Sequence, residues 1–190
     1  MRVFIAIALP KEIKLKLAKL QDELKSSGAD VKWVEPDNIH LTLKFLGEID
    51  DKQLSAVYKA IEESVKEKQA FSLRISSLGA FPKINYPRVI WLGVDKGDME
   101  VKQIAKDLEE RIQKIGIPKD DRAFSSHITI GRVRTGRNKD KLVEGLNKLA
   151  EVYSSESLEF EVKKITLFKS TLTPKGPIYE AIKETNLVTA

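Results

Sequence analysis

The only two histidines of this 190-residue sequence lie in matching tetrapeptides, His40-Leu41-Thr42-Leu43 and His127-Ile128-Thr129-Ile130. Side chains alternate between the two faces of a β-strand, so each tetrapeptide would place its histidine and threonine on one face and its aliphatic pair on the other. An imidazole titrates near neutral pH, and a hydroxyl can donate a hydrogen bond. If the two strands lie side by side, these four groups would form a site that binds an anion and transfers two protons.

A single histidine on a strand is more often a structural residue, and either motif alone would favour that interpretation. A sequence seldom places its only two histidines in the same His-apolar-Thr-apolar frame by chance, so the repetition favours a functional pair. We therefore expect His40 and His127 to face each other across a cleft, with Thr42 and Thr129 beside them.

The segments that position the histidines occur in two copies. Arg88 to Val94 resembles Arg2 to Ala8, and a similar helical pattern follows each of these strands. The offset between the copies is 86 residues at the arginines, 87 at the histidines and 89 at Phe71 and Phe160. We predict two strand-helix-strand-helix-strand units, roughly 1–82 and 87–170, that place the histidine strands across a pseudo-twofold cleft. The residues after Lys163 are predicted to end in a hairpin.

Local signals mark the boundaries of several elements. Asp50 and Gln53 predict a capping box at the start of a helix. The segment from Gly79 to Pro87 contains the glycine, asparagine and prolines that are typical of a loop. Near the carboxyl end, Thr173 to Gly176 is predicted to form the turn of the hairpin.

The composition of the chain excludes several kinds of functional site. With 42 % apolar and 32 % charged residues, the chain is predicted to form one compact domain over residues 1–190. The absence of cysteine excludes a disulfide framework, a thiolate zinc site and a cysteine nucleophile. Two histidines could join carboxylates around a metal, but threonine is a poor ligand for zinc-type ions, so we expect no metal site. We also expect no cofactor.

Charge and hydropathy bear on the partners and the location. The net charge of +5 favours a polyanionic partner weakly, and a solvated lysine-rich surface is the equally good alternative. The longest apolar run, Val3 to Leu9, is too short to cross a bilayer, and no signal-peptide pattern precedes it. A cytoplasmic location without a membrane partner is therefore expected.

The two tetrapeptides resemble the paired His-x-Thr-x motifs of the two-histidine phosphoesterase superfamily. Longer segments are similar to its RNA 2′,3′-cyclic phosphodiesterase branch, also known as the LigT-like or 2′-5′ RNA ligase family. These segments are Arg2 to Pro10, Asn38 to Gly47, Pro87 to Gly93, Ser126 to Arg132 and Thr166 to Ser170. The resemblance covers nearly the whole chain in order, with no departure at a motif position.

The resemblance implies an α+β fold of two lobes with antiparallel sheets. It implies metal-independent hydrolysis of RNA 2′,3′-cyclic phosphate to a 2′-phosphate, with weak reverse ligation. The expected partner of the monomer is RNA with such termini, including tRNA fragments. The resemblance also assigns His40 as proton donor and His127 as proton acceptor, whereas the symmetry of the two motifs leaves this assignment open.

The residues independently suit this chemistry. Opening a cyclic phosphodiester requires a base that deprotonates water and an acid that protonates the departing ribose oxygen. An imidazole, with an ordinary pKa near 6.5, can do either. Thr42 and Thr129 lie on the histidine faces, where their hydroxyls would stabilise charge on the phosphoryl oxygens.

The role of the nearby arginines depends on the path of the second histidine strand. Simple alternation places Arg132 and Arg134 on the face opposite His127, unless the strand bulges near Gly131. The family pattern favours Arg132 as a phosphate-binding residue. We interpret Arg134 as a solvated surface charge.

Three residues near the motifs have less specific roles. Alternation places Lys44 on the His40 face, and we interpret it as a surface charge. Phe45 and Phe124 could stack on a base of single-stranded RNA, but core packing is the expected role for both.

Two other functions remain open at this stage. One is a phosphodiesterase that acts on small cyclic nucleotides. The other is an RNA-binding module whose histidines only contact phosphate. Turnover of a cyclic-phosphate substrate separates an enzyme from a binding module.

Overall fold

The computed structural model describes residues 1–155 and 158–189, which form nine β-strands, four α-helices and one short 3₁₀-helix. The strands are β1 (Arg2–Ala8), β2 (Val31–Trp33), β3 (His40–Glu48), β4 (Phe71–Lys83), β5 (Tyr86–Val94), β6 (His127–Val133), β7 (Leu158–Val162), β8 (Lys164–Thr173) and β9 (Gly176–Asn186). The helices are α1 (Lys11–Lys25), α2 (Asp51–Val65), α3 (Asp98–Gln113) and α4 (Lys139–Ser155), and the 3₁₀-helix is Pro36–Asn38.

The strands form two sheets whose neighbouring strands are all antiparallel, which confirms the predicted α+β class. The first sheet has the order β3-β1-β8-β9, and the second has the order β2-β6-β5-β4-β7. The two histidine strands, β3 and β6, therefore lie in different sheets. Each one pairs with the first strand of its own copy of the repeat, β1 or β5.

The two halves of the chain exchange strands between the sheets. After α2, strand β4 leaves the first sheet and pairs with β5, and after α4, strand β8 returns to pair with β1. Where the halves meet, β4 pairs with β7, and Leu73 lies opposite Phe160. These two residues are 87 positions apart, which is also the separation of the histidines. Equivalent strands thus meet in a symmetric register.

The pairing corrects one of the offsets expected from the sequence. Ala8 lies opposite His40, and Gly93 lies opposite His127, so β1 and β5 are related by 85 residues and not by 86. A shift of one residue exchanges the two faces of a strand, so buried faces decide the register where sequence similarity does not.

The predicted loop from Gly79 to Pro87 is wrong, because most of this segment is a β-hairpin formed by β4 and β5. Gly79 lies beneath the Trp91 indole, where a β-carbon would come within 2.5 Å of the ring. Pro82 lies at a register shift of the hairpin, where a missing backbone N–H is tolerated. Glycine and proline therefore serve close packing and a bulge here, and do not mark a loop.

Other local predictions are confirmed. The Asp50 carboxylate accepts a hydrogen bond from the Gln53 backbone N–H at 2.7 Å, within a reciprocal capping box. Strands β8 and β9 form the terminal hairpin, with Thr173 paired to Gly176. Within 1–155 and 158–189, no helix is long and apolar enough to cross a membrane.

Candidate active site

One cavity of about 530 Å³ collects residues from both histidine strands. Its lining includes His40 and Thr42 from β3 and His127 and Thr129 from β6. Arg132 also lines this cavity, which we call the histidine cleft. The structure thus brings together all five residues that were expected to form the site.

Both histidine strands bulge at the same position, one residue after the threonine. In β3, Thr42 pairs with Ala6 and Lys44 with Ile5, so Leu43 is the extra residue. In β6, the register shifts in the same way at Ile130. Each bulge reverses the alternation of the residues that follow it. Such a bulge is the condition under which Arg132 was expected to reach the His127 face.

Phe45 is redirected by the bulge in β3 and was wrongly expected in the core. Its side chain is 63 % exposed and lines the histidine cleft. Phe45 and Arg132 occupy equivalent positions, 87 residues apart, in the two halves. The cleft therefore receives an aromatic ring from one half and a guanidinium from the other. Phe124 packs against the core, as expected, and it also lines the cleft.

Lys44 was predicted to be a surface charge, and the structure contradicts this. The bulge at Leu43 turns its side chain inward, where it is only 1 % exposed. The Lys44 ammonium lies 3.0 Å from the Glu109 carboxylate and 3.1 Å from Asp120, and it donates a hydrogen bond to the Pro118 carbonyl at 3.0 Å. A buried ammonium requires such partners. These contacts tie β3 to the segment that leads into β6. By contrast, Arg134 is a surface residue as expected.

Gln21 on α1 stabilises the bulge in β6. Its side chain is buried, and its amide group donates hydrogen bonds to the Ile130 carbonyl at 3.0 Å and to the Val34 carbonyl at 2.8 Å. The Val34 N–H donates to the same Ile130 carbonyl at 3.0 Å. The carbonyl of the bulged residue is thus satisfied both by Val34, directly after β2, and by Gln21 on α1. Gln21 was not expected to matter from the sequence, since one polar residue on an amphipathic helix carries no signal.

We expect Gln21→Met to lower the free energy of unfolding by about 1–3 kcal/mol, because the half-buried Val34 carbonyl loses its amide partner and the buried Ile130 carbonyl loses one of its two donors. Methionine has about the volume of glutamine, so the loss of stability measures the missing hydrogen bonds and not a cavity. Urea denaturation measures the effect, with Gln113→Met at the exposed end of α3 as the control. The control should change stability by less than about 0.5 kcal/mol. Equal stability of both variants would contradict the role of Gln21.

Both imidazoles are oriented by a hydrogen bond to a backbone carbonyl. His40 Nδ1 lies 2.6 Å from the Asn38 carbonyl, and His127 Nδ1 lies 2.9 Å from the Ser125 carbonyl. A carbonyl can only accept, so Nδ1 carries the proton and donates it in each case. The second nitrogen, Nε2, is therefore the atom that exchanges protons in both rings. In each motif the acceptor lies two residues before the histidine.

The two imidazoles differ in their surroundings. The His40 ring is packed between aromatic rings, 4.8 Å from Phe4 and edge-on to Tyr179 at 5.5 Å. Burial lowers the pKa of His40 below its ordinary value of 6.5, and the charge of Lys14 lowers it further, whereas the hydrogen bond to Asn38 raises it. His127 contacts the edge of the Phe81 ring at 5.4 Å.

In the phosphate-free protein, we expect His40 to titrate below pH 6.5, because burial disfavours its charged form. Added inorganic phosphate should raise this pKa, since a nearby anion favours the imidazolium. NMR of the two histidine Cε1 protons over a pH series measures both effects. A His127→Ala variant assigns the remaining signal to His40. A midpoint at or above 6.5 without phosphate would contradict the expectation.

The threonines make different contacts in the cleft. Thr42 Oγ1 lies 2.8 Å from His40 Nε2, so this hydroxyl and this nitrogen form a hydrogen-bonded pair. In the described part of the chain, neither the Thr129 hydroxyl nor His127 Nε2 has a hydrogen-bond partner. The β6 side of the cleft therefore offers two free groups to a ligand.

Tyr179 and residues 120–124 line the cleft without having been expected there. Burial raises the pKa of Tyr179, so its hydroxyl stays protonated near neutral pH. No sequence signal identifies Tyr179, because β9 reaches the cleft only through β8, which pairs with β1. Residues 120–124 had one usable signal, namely three charged residues shortly before the second histidine motif.

In residues 1–155 and 158–189, no group of three or more histidine, cysteine, aspartate or glutamate residues could hold a metal ion. The charged groups of the cleft are the guanidinium groups of Arg122 and Arg132, the Asp121 carboxylate, and the Asp120 carboxylate with its ion-pair partner Lys44. The cleft thus has imidazoles, hydroxyls and guanidinium groups, a set that suits a phosphate anion.

Comparisons with known proteins agree with this chemistry. A model of the LigT-like phosphoesterase family matches the chain twice, over residues 7–91 and 92–179. The chain is 41 % identical over 184 residues to an RNA 2′,3′-cyclic phosphodiesterase of Methanocaldococcus jannaschii, and the match covers 97 % of this chain and 99 % of that protein. It is 38 % identical to a protein of the same name from Archaeoglobus fulgidus, with 96 % and 98 % covered.

The fold is also similar to a solved structure. The crystal structure of TT0787 from Thermus thermophilus has a TM-score of 0.78 and 26 % identity, and the match covers 98 % of each chain. The family predicted from the paired histidine motifs is therefore confirmed, and the chain belongs to the LigT-like phosphoesterase family.

Proposed function

We propose that this protein hydrolyses the terminal 2′,3′-cyclic phosphate of RNA to a 2′-phosphate, with His40 and His127 as the acid and the base. The observation that carries the proposal is that one cleft is lined by both histidines, each with its Nδ1 hydrogen-bonded to a carbonyl, and by two threonines and Arg132. The relatives named RNA 2′,3′-cyclic phosphodiesterase, at up to 41 % identity, support the substrate class.

In the proposed step, His127 Nε2 takes a proton from a water molecule whose oxygen attacks phosphorus. The bond between phosphorus and the ribose 3′ oxygen breaks, and His40 Nε2 donates its proton to that oxygen. The product keeps its phosphate on the 2′ oxygen. The free Nε2 of His127 suits the base, and the assignment of His40 as acid follows the family.

The second requirement of this reaction is that the negative charge on the phosphoryl group is stabilised. The Thr42 and Thr129 hydroxyls donate to the non-bridging oxygens, and Arg132 neutralises the phosphate charge. The Thr42 hydroxyl must first release His40 Nε2, with which it forms a hydrogen bond. An anion in the cleft favours this release, because it provides the hydroxyl with a stronger acceptor.

The position of the product phosphate tests this proposal. Incubation of the protein with an oligoribonucleotide that ends in a 2′,3′-cyclic phosphate should yield 2′-phosphate ends, identified by ³¹P NMR against standards. Activity should survive EDTA, because both histidines act on protons and are not free to hold a metal. Mainly 3′-phosphate ends would refute the proposed acid/base geometry. No turnover, with binding retained, would favour an RNA-binding module.

The same groups would catalyse the reverse reaction, so weak 2′-5′ ligation is part of the proposal. We propose further that the chain acts as a monomer in the cytoplasm, on RNA fragments with cyclic phosphate ends, including tRNA fragments. Turnover of mononucleoside 2′,3′-cyclic phosphates at the same kcat/KM as RNA would instead favour a phosphodiesterase of small cyclic nucleotides.

A further inference from the structure

A second cavity, of about 160 Å³, lies at the end of β5 and β6 beyond the histidine cleft. Its lining includes Tyr86, Arg88, Arg134 and Lys139, and we call it the basic pocket. None of its lining residues is a carboxylate. Three cations thus surround one small cavity that the proposed catalysis does not use.

The cations of the basic pocket are held close together around one aromatic ring. The Lys139 ammonium lies 3.8 Å from the centre of the Tyr86 ring, and the Arg88 guanidinium lies 5.6 Å from it. In residues 1–155 and 158–189, neither Arg88 nor Lys139 forms an ion pair with a carboxylate. Arg134 pairs with Asp30 through its Nε atom, at 3.1 Å.

This arrangement contrasts with that of Lys44, whose charge is neutralised by two carboxylates. Like charges held close together repel each other, and attraction to the Tyr86 ring offsets only part of this cost. A bound anion would remove the repulsion. Arginine and lysine beside each other are also the side chains that proteins use most for phosphate.

The basic pocket follows the histidine cleft along the chain at the end of β6. Arg132 lines the cleft, whereas Val133 and Arg134 line the basic pocket. Two residues of a strand span about 7 Å, so the Cα atoms of Arg132 and Arg134 are that far apart. A chain of phosphates that begins between the histidines would meet these cations in succession.

We infer that the basic pocket binds phosphates of the nucleotides immediately upstream of the reacting cyclic phosphate in RNA. This inference rests on the proposed function, because it takes the direction of the RNA from the position of the cyclic end. The pocket makes longer RNA a better substrate than a single nucleotide, since a mononucleoside cyclic phosphate has no upstream phosphate to place there.

The test compares two substrates and two double variants. The substrates are uridine 2′,3′-cyclic phosphate and a decaribonucleotide that ends in a 2′,3′-cyclic phosphate. The test variant, Arg88→Gln with Lys139→Gln, removes two charges from the basic pocket. The control, Lys52→Gln with Lys59→Gln, removes two exposed charges from α2, which packs against α3 and β9.

For the decaribonucleotide, the test variant should raise KM on the order of tenfold, because two phosphate contacts are lost. The slope of log(kcat/KM) against log[salt] should become shallower by about 1.4, at about 0.7 for each contact with a single strand. Turnover of uridine 2′,3′-cyclic phosphate should stay within about twofold of wild type, which also reports that the variant is folded. The control should change neither substrate's KM by more than about twofold.

Each outcome separates the two proposals. If wild type turns over both substrates and the test variant keeps the KM and salt slope of wild type, the basic pocket is not a phosphate site, while the proposed function stands. Equal losses for the test and control variants would also overturn the inference, because the effect would then come from net charge alone. If wild type turns over neither substrate, the proposed function is wrong, and the inference that rests on it is overturned with it.

Discussion

Replacing either His40 or His127 with alanine is expected to lower kcat on RNA that ends in a 2′,3′-cyclic phosphate by about 10²- to 10⁴-fold, the usual contribution of a positioned general acid or base. The two losses should not multiply, because both imidazoles act in one concerted transfer. The double variant should therefore be little slower than the slower single variant. Single-turnover kinetics on the oligonucleotide measures all three rates.

The pH profile of wild type belongs to the same prediction. The acid and the base must be in opposite protonation states, so activity should fall on both sides of an optimum. The two apparent pKa values belong to the coupled pair and not to single residues. Each alanine variant should lose one limb of this profile.

The controls for the histidine variants concern folding and position. Circular dichroism should show unchanged secondary structure, since both rings lie partly at the surface of the cleft. The exposed Lys52 on α2 offers a control substitution, and Lys52→Ala should keep the wild-type rate. A folded His40→Ala or His127→Ala variant with a rate near wild type would refute the paired acid/base mechanism.

Loss of a threonine hydroxyl is the second large effect that we expect. Thr42→Val and Thr129→Val should each lower kcat by about 10²- to 10³-fold, the usual cost of removing one donor that stabilises charge in the transition state. Valine keeps the shape of threonine and its preference for strands. The loss therefore reports the hydroxyl and not the fold.

Steady-state kinetics separates this effect from weaker binding. The hydroxyls are proposed to act mainly in the transition state, so kcat should fall much more than KM rises. Thr171→Val, at an exposed position of β8, is the matched control and should be close to wild type. A Thr129→Val variant that changes KM alone would show that this hydroxyl only binds the substrate.

Thr42→Val has a further consequence that Thr129→Val lacks. The Thr42 hydroxyl is 2.8 Å from His40 Nε2, whereas among the described residues the Thr129 hydroxyl has no such neighbour. Removal of Thr42 should therefore shift the pKa of His40, and removal of Thr129 should not. Comparison of the two NMR titrations distinguishes the two hydroxyls.

Much of the site could be predicted from the sequence, because the chemistry is local to two short motifs. His40 and Thr42 share one strand face, as do His127 and Thr129, since alternation over two residues needs no information from the rest of the chain. The repeat of the motif then indicates that the two faces belong to one site. The antiparallel α+β fold followed from the family resemblance that the same motifs carry.

Residues beyond the threonines could not be predicted in the same way. A bulge follows each threonine and reverses the faces of the strand, so Lys44 is buried and Phe45 is exposed, opposite to the roles expected for them. In β6, the bulge at Ile130 is satisfied by Gln21, 109 positions away in the chain. The alternation of residues along a strand cannot predict a contact with such a distant residue.

Residue types at fixed short spacings were thus enough to predict the histidine pair, its two threonines and the family of the chain. The assembled sheets were needed to show which of the following residues enter the cleft, how Nδ1 of each imidazole is held, and that Tyr179 lies beside His40. Strand bulges and the pairing of β8 with β1 are set by buried contacts between distant segments, and these contacts exist only once the two sheets have formed.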